Sequence, residues 1–239
     1  MNVRRPFTSE VEVRKAHAWP LPNTRWTKMY LDGHSGESSL SWERPEKAAG
    51  IQVDAMGKPV TFVSEPLTQE TEVTGPLTAK LFISSSTSDA DLFLTFQAFS
   101  AEGREVEFQG TVDPHTPLAQ GWLRASHRKL DPARSIPYRP YHSHDELQPL
   151  TPGERYEVDV EVWPANIVLP AVFRLALQIS GQDFEREVPE GANEAWAAKG
   201  SGPWLHNLVE DRPASVFGGV TTVHAGSESG SYLLLPVVS

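Results

Sequence analysis

An all-β fold with little helix is what this sequence predicts, and three observations carry the prediction. Segment after segment alternates apolar and polar residues with period two. The 20 prolines and 17 glycines are dispersed along the 239 residues, which punctuates many short strands and disfavours long helices. A helical apolar period is scarce, and only Glu190–Lys199 is compatible with one short helix. Together these predict an antiparallel sandwich of two sheets in a single domain spanning residues 1–239.

Taken along the chain, residues 1–25 read as a lead-in segment. In Leu77–Ser84, the side chains of Leu77, Ala79, Leu81 and Ile83 share one face, and Thr78, Lys80 and Ser84 the other. Asp91–Ser100 is apolar on both faces, as in a central strand, and Ala101–Arg104 reads as a hairpin turn leading into Glu105–Gly110. Residues 126–149 are too long for a hairpin; their prolines, Tyr138 and Tyr141 predict a loop held against the protein. Arg155–Trp163 alternates strictly, with Tyr156, Val158, Val160 and Val162 against Glu157, Asp159 and Glu161. Phe173, Leu175, Leu177 and Ile179 repeat the pattern, and Thr221–His224 and Tyr232–Val238 supply the last strands.

Composition narrows the function classes. With 39% hydrophobic and 22% charged residues, the chain can bury a sizeable core. Net charge is -10 and no basic patch is visible, so nucleic acid is not an expected partner. No apolar run reaches the ~18 residues of a membrane-spanning helix, and the N-terminal segment lacks the apolar core of a secretory signal. There is no cysteine, which excludes disulfides and thiolate metal sites and fits a cytoplasmic setting.

Several motifs, in order, carry a resemblance. They are Phe62-Val-Ser-Glu-Pro-Leu67, Glu72-Val-Thr-Gly-Pro-Leu-Thr-Ala-Lys-Leu81, the acidic Ser88-Asp-Ala-Asp91, Gly121-Trp-Leu-Arg-Ala-Ser-His127, and Leu175–Phe184 with the terminal Leu-Leu-Leu-Pro-Val-Val. The lead-in Trp19–Leu31 belongs to the same series. This order resembles the C-terminal domain of the X-Pro dipeptidyl-peptidase and CocE/NonD serine hydrolases. One departure is Val172-Phe173, where that family often has Gly-His. The resemblance implies a jelly-roll of galactose-binding-like type. It also implies a non-catalytic role beside an α/β-hydrolase domain, which holds the nucleophile in a Gly-x-Ser-x-Gly elbow. The expected partner is that hydrolase domain or chain, or a second copy of this chain. An independent carbohydrate-binding module is the alternative that a jelly-roll leaves open.

The sequence itself offers no catalytic residue. Gly33-His34-Ser35-Gly36 places the second glycine one position early for an elbow and reads as a polar turn. Gly202-Pro203-Trp204-Leu205-His206 resembles the surroundings of the family's catalytic histidine but comes too late in the chain. Neither a cofactor nor a metal is expected. His142-Ser-His144-Asp145, with His127 before the same loop, is a possible ligand pattern read as a structural loop, and Asp89 and Asp91 read as an exposed acidic turn. Of seven tryptophans, Trp19, Trp26, Trp42 and Trp204 lie outside the clean alternating segments. The expected interface or ligand surface comprises Trp19, Trp26, Tyr138, Tyr141, His142 and His144, in which exposed aromatics meet a partner or stack on a sugar.

Overall fold

The computed structural model describes residues 1–110, 115–186, 205–226 and 230–238. The short helix expected at Glu190–Lys199 and the tripeptide Gly202–Trp204 lie outside these residues. Among them are thirteen strands: β1 (Asn2–Arg4), β2 (Val11–Val13), β3 (Thr24–Asp32), β4 (Ser39–Ser41), β5 (Ala49–Asp54), β6 (Val60–Ser64), β7 (Thr71–Ser85), β8 (Asp91–Phe99), β9 (Ala119–Arg124), β10 (Tyr156–Leu169), β11 (Arg174–Ser180), β12 (Val220–Ala225) and β13 (Tyr232–Val238). Among the described residues, helix is confined to one 3-10 turn, Ala125–His127, and the four-residue α1, Ala214–Phe217. No helix among the described residues is long and apolar enough to cross a membrane.

The strand β7 organises one layer because both of its edges are taken. Along one edge it pairs with β10 from Tyr156↔Ile83 to Leu169↔Thr71, with a bulge between Val162 and Ala165. Its other edge is shared, first by β13 and then, from Phe82 onward, by β12. Ser231 sits at this fork. Its hydroxyl accepts from the Phe82 amide and donates to the His224 carbonyl, which satisfies groups that the diverging strands would leave unpaired. Outside β12 lies β5, and outside β13 lies β3. The opposite layer runs β9–β8–β11–β6, all antiparallel.

Between the layers, Leu77, Leu81 and Ile83 of β7 and Val158, Val160 and Val162 of β10 meet Leu94 and Phe96 of β8 and Leu175, Leu177 and Ile179 of β11, all essentially inaccessible. Each such side chain contributes roughly 1.5–3 kcal/mol on burial. The period-two reading of Leu77–Ser84, Arg155–Trp163 and the segment after Phe173 therefore matches the inward face. Asp91–Ala98 is buried on both faces, as a central strand requires.

The expected antiparallel sandwich needs correction in two respects: the layers do not stay separate, and the pairing is mixed. Nine strands close a ring, β10–β9–β8–β11–β6–β4–β3–β13–β7 and back to β10. Two thin seams join the layers. At one, β4 leaves β3 as a hairpin and then runs parallel to β6 for two residue pairs, Ser39↔Val63 and Leu40↔Ser64. At the other, β9 touches β10 through the single pair Val162↔Gly121. The first hairpin docks by a parallel contact as well, Arg4↔Ile167, with Val3 buried beneath it. Glu105–Gly110 also differs from expectation. The turn before it forms, with Ser100 N–H donating to the Arg104 carbonyl at 2.8 Å, but only isolated bridges follow.

The seam at Gly121 tolerates no side chain. A Cβ there would run into the Glu161 carbonyl and Val162 of the neighbouring strand. Gly121→Ala is expected to cost about 1–3 kcal/mol by overpacking, measured as a lowered midpoint of urea unfolding. An unchanged midpoint would show that the seam yields freely.

Candidate functional site

A cavity of about 530 Å³ opens on the outer face of β8 and β9. Cross-strand register creates its floor. Asp91 lies opposite Arg124 and Phe93 opposite Trp122, so two pairs of side chains stand on the same face. One wall is the segment Leu205–Arg212. The other is built from His127, at the end of the 3-10 turn, and from His142 and His144 of the long loop.

Asp91 ties these parts together. Its Oδ1 accepts from Arg124 Nε at 2.8 Å and its Oδ2 from Arg124 Nη2 at 3.0 Å and Arg212 Nε at 2.7 Å. Arg212 is buried and also donates from Nη1 to the His206 carbonyl at 2.7 Å and from Nη2 to the Gly181 carbonyl. Its guanidinium also lies over Phe93, and that of Arg124 lies over Phe217. Hydrogen bonding to Asp91 pushes the Arg124 pKa up against the opposing effect of burial. A buried carboxylate with every oxygen engaged meets the condition under which burying charge is tolerated. Asp89, also buried, accepts from the Ala90 and Ser126 amides at 2.9 Å each and fixes the turn that follows β9. These acids are not the exposed turn that the sequence suggests. Apart from the adjacent Ala90 amide, their partners lie 33 to 121 residues away, beyond the reach of any local pattern.

Residues 126–149 are fastened along their length. Asp131 N–H donates to the Tyr141 carbonyl at 2.8 Å, Ser143 N–H to Lys129 at 3.0 Å, Gln148 N–H to Ser126 at 2.8 Å, and Leu150 N–H to Ser88 at 2.7 Å. Lys129 pairs with Asp145 and Glu146. This fastening brings three histidines to one wall. His127 Nδ1 and His144 Nδ1 are 3.1 Å apart, and the His142 and His144 ring centres are 6.0 Å apart. His144 adopts a left-handed backbone, φ 51°. Burial, and next the neighbouring His144, hold the His142 imidazole below its ordinary pKa. Its Nε2 is buried without a hydrogen-bond partner. Among the described residues no group of three or more acidic, histidine or cysteine side chains is arranged to hold a metal ion.

The six residues expected to form a surface do not come together in one place. His142 and His144 line the cavity. Trp26 belongs to β3, rather than to an irregular lead-in, and stacks flat on Tyr138 with ring centres 4.2 Å apart. Tyr141 is exposed and carries the Arg134 guanidinium 3.8 Å from its ring centre. Trp19 is 49% exposed, and no ring contact among the described residues joins it to the others. His206 also lines the cavity, and its ring Nδ1 lies 3.1 Å from the Asp183 carboxylate. Ser35 lies in the β3–β4 hairpin loop, as its polar-turn reading anticipates.

Sequence reasoning missed Phe93, Trp122, Arg124 and Arg212, and also Trp163. Trp163 is 57% exposed and stands edge-on to Trp122 with centres 5.0 Å apart. The signal for Trp122 lies in its alternation with Leu123, which puts it on the outer face once β9 is recognised.

The sequence profile for the X-Pro dipeptidyl-peptidase C-terminal non-catalytic domain matches residues 3–234. The chain belongs to this family. It is similar to the cocaine esterase of a Rhodococcus species, with 23% identity covering 95% of this chain and 40% of that protein. A candidate serine esterase of Mycobacterium bovis is 32% identical over 131 residues, covering 53% of this chain and 19% of the relative. The crystal structure of a CocE/NonD family hydrolase from Staphylococcus aureus superposes with a TM-score of 0.82 at 26% identity, covering 99% of this chain and 41% of that one. The chain thus spans between about a fifth and two-fifths of these relatives. It is a non-catalytic C-terminal domain of the CocE/NonD and X-Pro dipeptidyl-peptidase type.

Removing the shared carboxylate leaves two guanidinium groups facing each other at the cavity floor. Asp91→Ala is expected to destabilise the chain by roughly 3–5 kcal/mol, read from the denaturant midpoint. Asp145→Ala, on the exposed part of the loop, should leave the midpoint near that of the unsubstituted chain.

Proposed function

We propose that this domain serves an α/β-hydrolase catalytic domain by packing against it through the face that bears the Asp91 cavity, and that the cavity wall helps shape substrate access. The observation that carries the reading is the make-up of that face. A rigid charged floor underlies apolar and aromatic groups, Phe93, Trp122 and Leu208, and exposed Val209 and Trp163 lie beside them. Exposed aromatic and aliphatic groups clustered round a concavity are the usual mark of a contact surface. Jelly-roll topology, in which two layers wrap one core, is the finer fold assignment that accompanies this role.

A second reading rests on the Trp122–Trp163 pair. An exposed indole next to a cavity with paired polar groups is also suited to stacking on a sugar ring. Retention on an immobilised polysaccharide that disappears with Trp163→Ala would favour it.

The docking reading is tested by placing this chain where the corresponding domain lies in the staphylococcal hydrolase. Hydrogen exchange should show protection at residues 91–93, 122–124 and 205–212 relative to the chain alone, and Leu208→Glu should reduce it. Protection confined to the β5–β12 side would overturn the proposal. The chain alone is expected to give no turnover of p-nitrophenyl esters and no labelling by a fluorophosphonate; labelling that depends on Ser35 would contradict a non-catalytic role.

A further inference from the structure

We propose that His127 and His144 form a chelating site for a divalent first-row transition ion, with Zn²⁺ the simplest case. The site consists entirely of residues of this chain and does not depend on which partner covers the cavity.

The Nδ1 atoms of the two rings are 3.1 Å apart, and their ring centres 5.2 Å. With metal–nitrogen bonds of ~2.0–2.1 Å, that separation corresponds to an angle of about 95–100° at a shared ion. This lies between the octahedral and tetrahedral values. Imidazole is a ligand that suits Zn²⁺, Cu²⁺ and Ni²⁺ alike, and the ion selected depends on geometry and supply.

The chain next to each histidine is held in place. His127 ends a 3-10 turn whose Ser126 amide is tied to Asp89. His144 follows Ser143, whose amide donates to the Lys129 carbonyl and whose hydroxyl donates to Asp145 at 2.6 Å. The left-handed backbone of His144 is uncommon for a residue with a side chain, and such conformations persist where the surroundings impose them.

A second observation points the same way. His142 lines the same cavity, and its Nε2 is buried with no partner. A third imidazole thus stands on the same wall, its ring centre 6.0 Å from that of His144. The adjoining cavity has room for the water or anion that would complete coordination by two imidazoles.

The test is titration of the chelator-stripped chain with zinc chloride, followed by calorimetry. One equivalent should bind saturably. His127→Ala and His144→Ala should each weaken binding by about tenfold or more, whereas His17→Ala should leave it unchanged. Circular dichroism checks that each variant is folded. A readout on the unsubstituted chain removes any dependence on the variants: Ni²⁺ should broaden the ring resonances of His127 and His144 before those of other histidines. No saturable binding, equal affinity in all variants, or first broadening at another histidine would overturn the site and leave the 3.1 Å contact as a hydrogen bond between two rings.

Discussion

One carboxylate holds the functional face together. Asp91 opens β8, pairs across the ladder with the end of β9 through Arg124, and draws in the 205–212 segment through Arg212, which in turn reaches the end of β11 at Gly181. Four stretches far apart in sequence thus converge on one buried charge. Two cations against one anion would be costly without further partners. The carbonyls of Gly181 and His206 and the aromatic faces of Phe93 and Phe217 provide them. The same arrangement gives the cavity a base tied together at four points in the chain.

Around this base the architecture separates strength from closure. The β7–β10 ladder is long and the core between the layers is dense, whereas the ring is completed by two residue pairs at β4–β6 and one at β9–β10. Side chains pressed between the layers therefore hold the layers together far more than the seams do. Trp122 and Trp163 stand beside the weaker seam, with Gly121 and Val162 directly behind them. Aromatic exposure and minimal backbone pairing coincide there, on the side of the molecule that we assign to partner contact.

Much of the fold was legible because burial imposes period two. Leu77, Leu81, Ile83, Val158, Val160 and Leu175 occupy inward positions that alternation alone identifies, and the double-sided burial of Asp91–Ala98 follows from its unbroken apolar character. Closure was not legible. Register between strands distant in sequence leaves no local trace, so neither the parallel β4–β6 contact nor the single pair at Gly121 could be anticipated. The site divides in the same way. His142 and His144 stand out as near neighbours in sequence, and His127 could be associated with their loop. By contrast, Asp91 read as an exposed acid because its arginines arrive from β9 and from the segment before α1. Trp26 read as part of an irregular lead-in because β3 is only half buried and its alternation is blurred.

The position of β13 has a consequence for how the molecule is made. This strand lies between β3 and β7, two elements synthesised long before it. Until it emerges, each of those strands presents an open hydrogen-bonding edge, and the β7 edge leads straight to the apolar interior. Unpaired edges of this kind invite pairing with other chains. The ring cannot be completed progressively during translation. Its closure waits for residues 232–238, which supply the pairing partner for both β3 and β7.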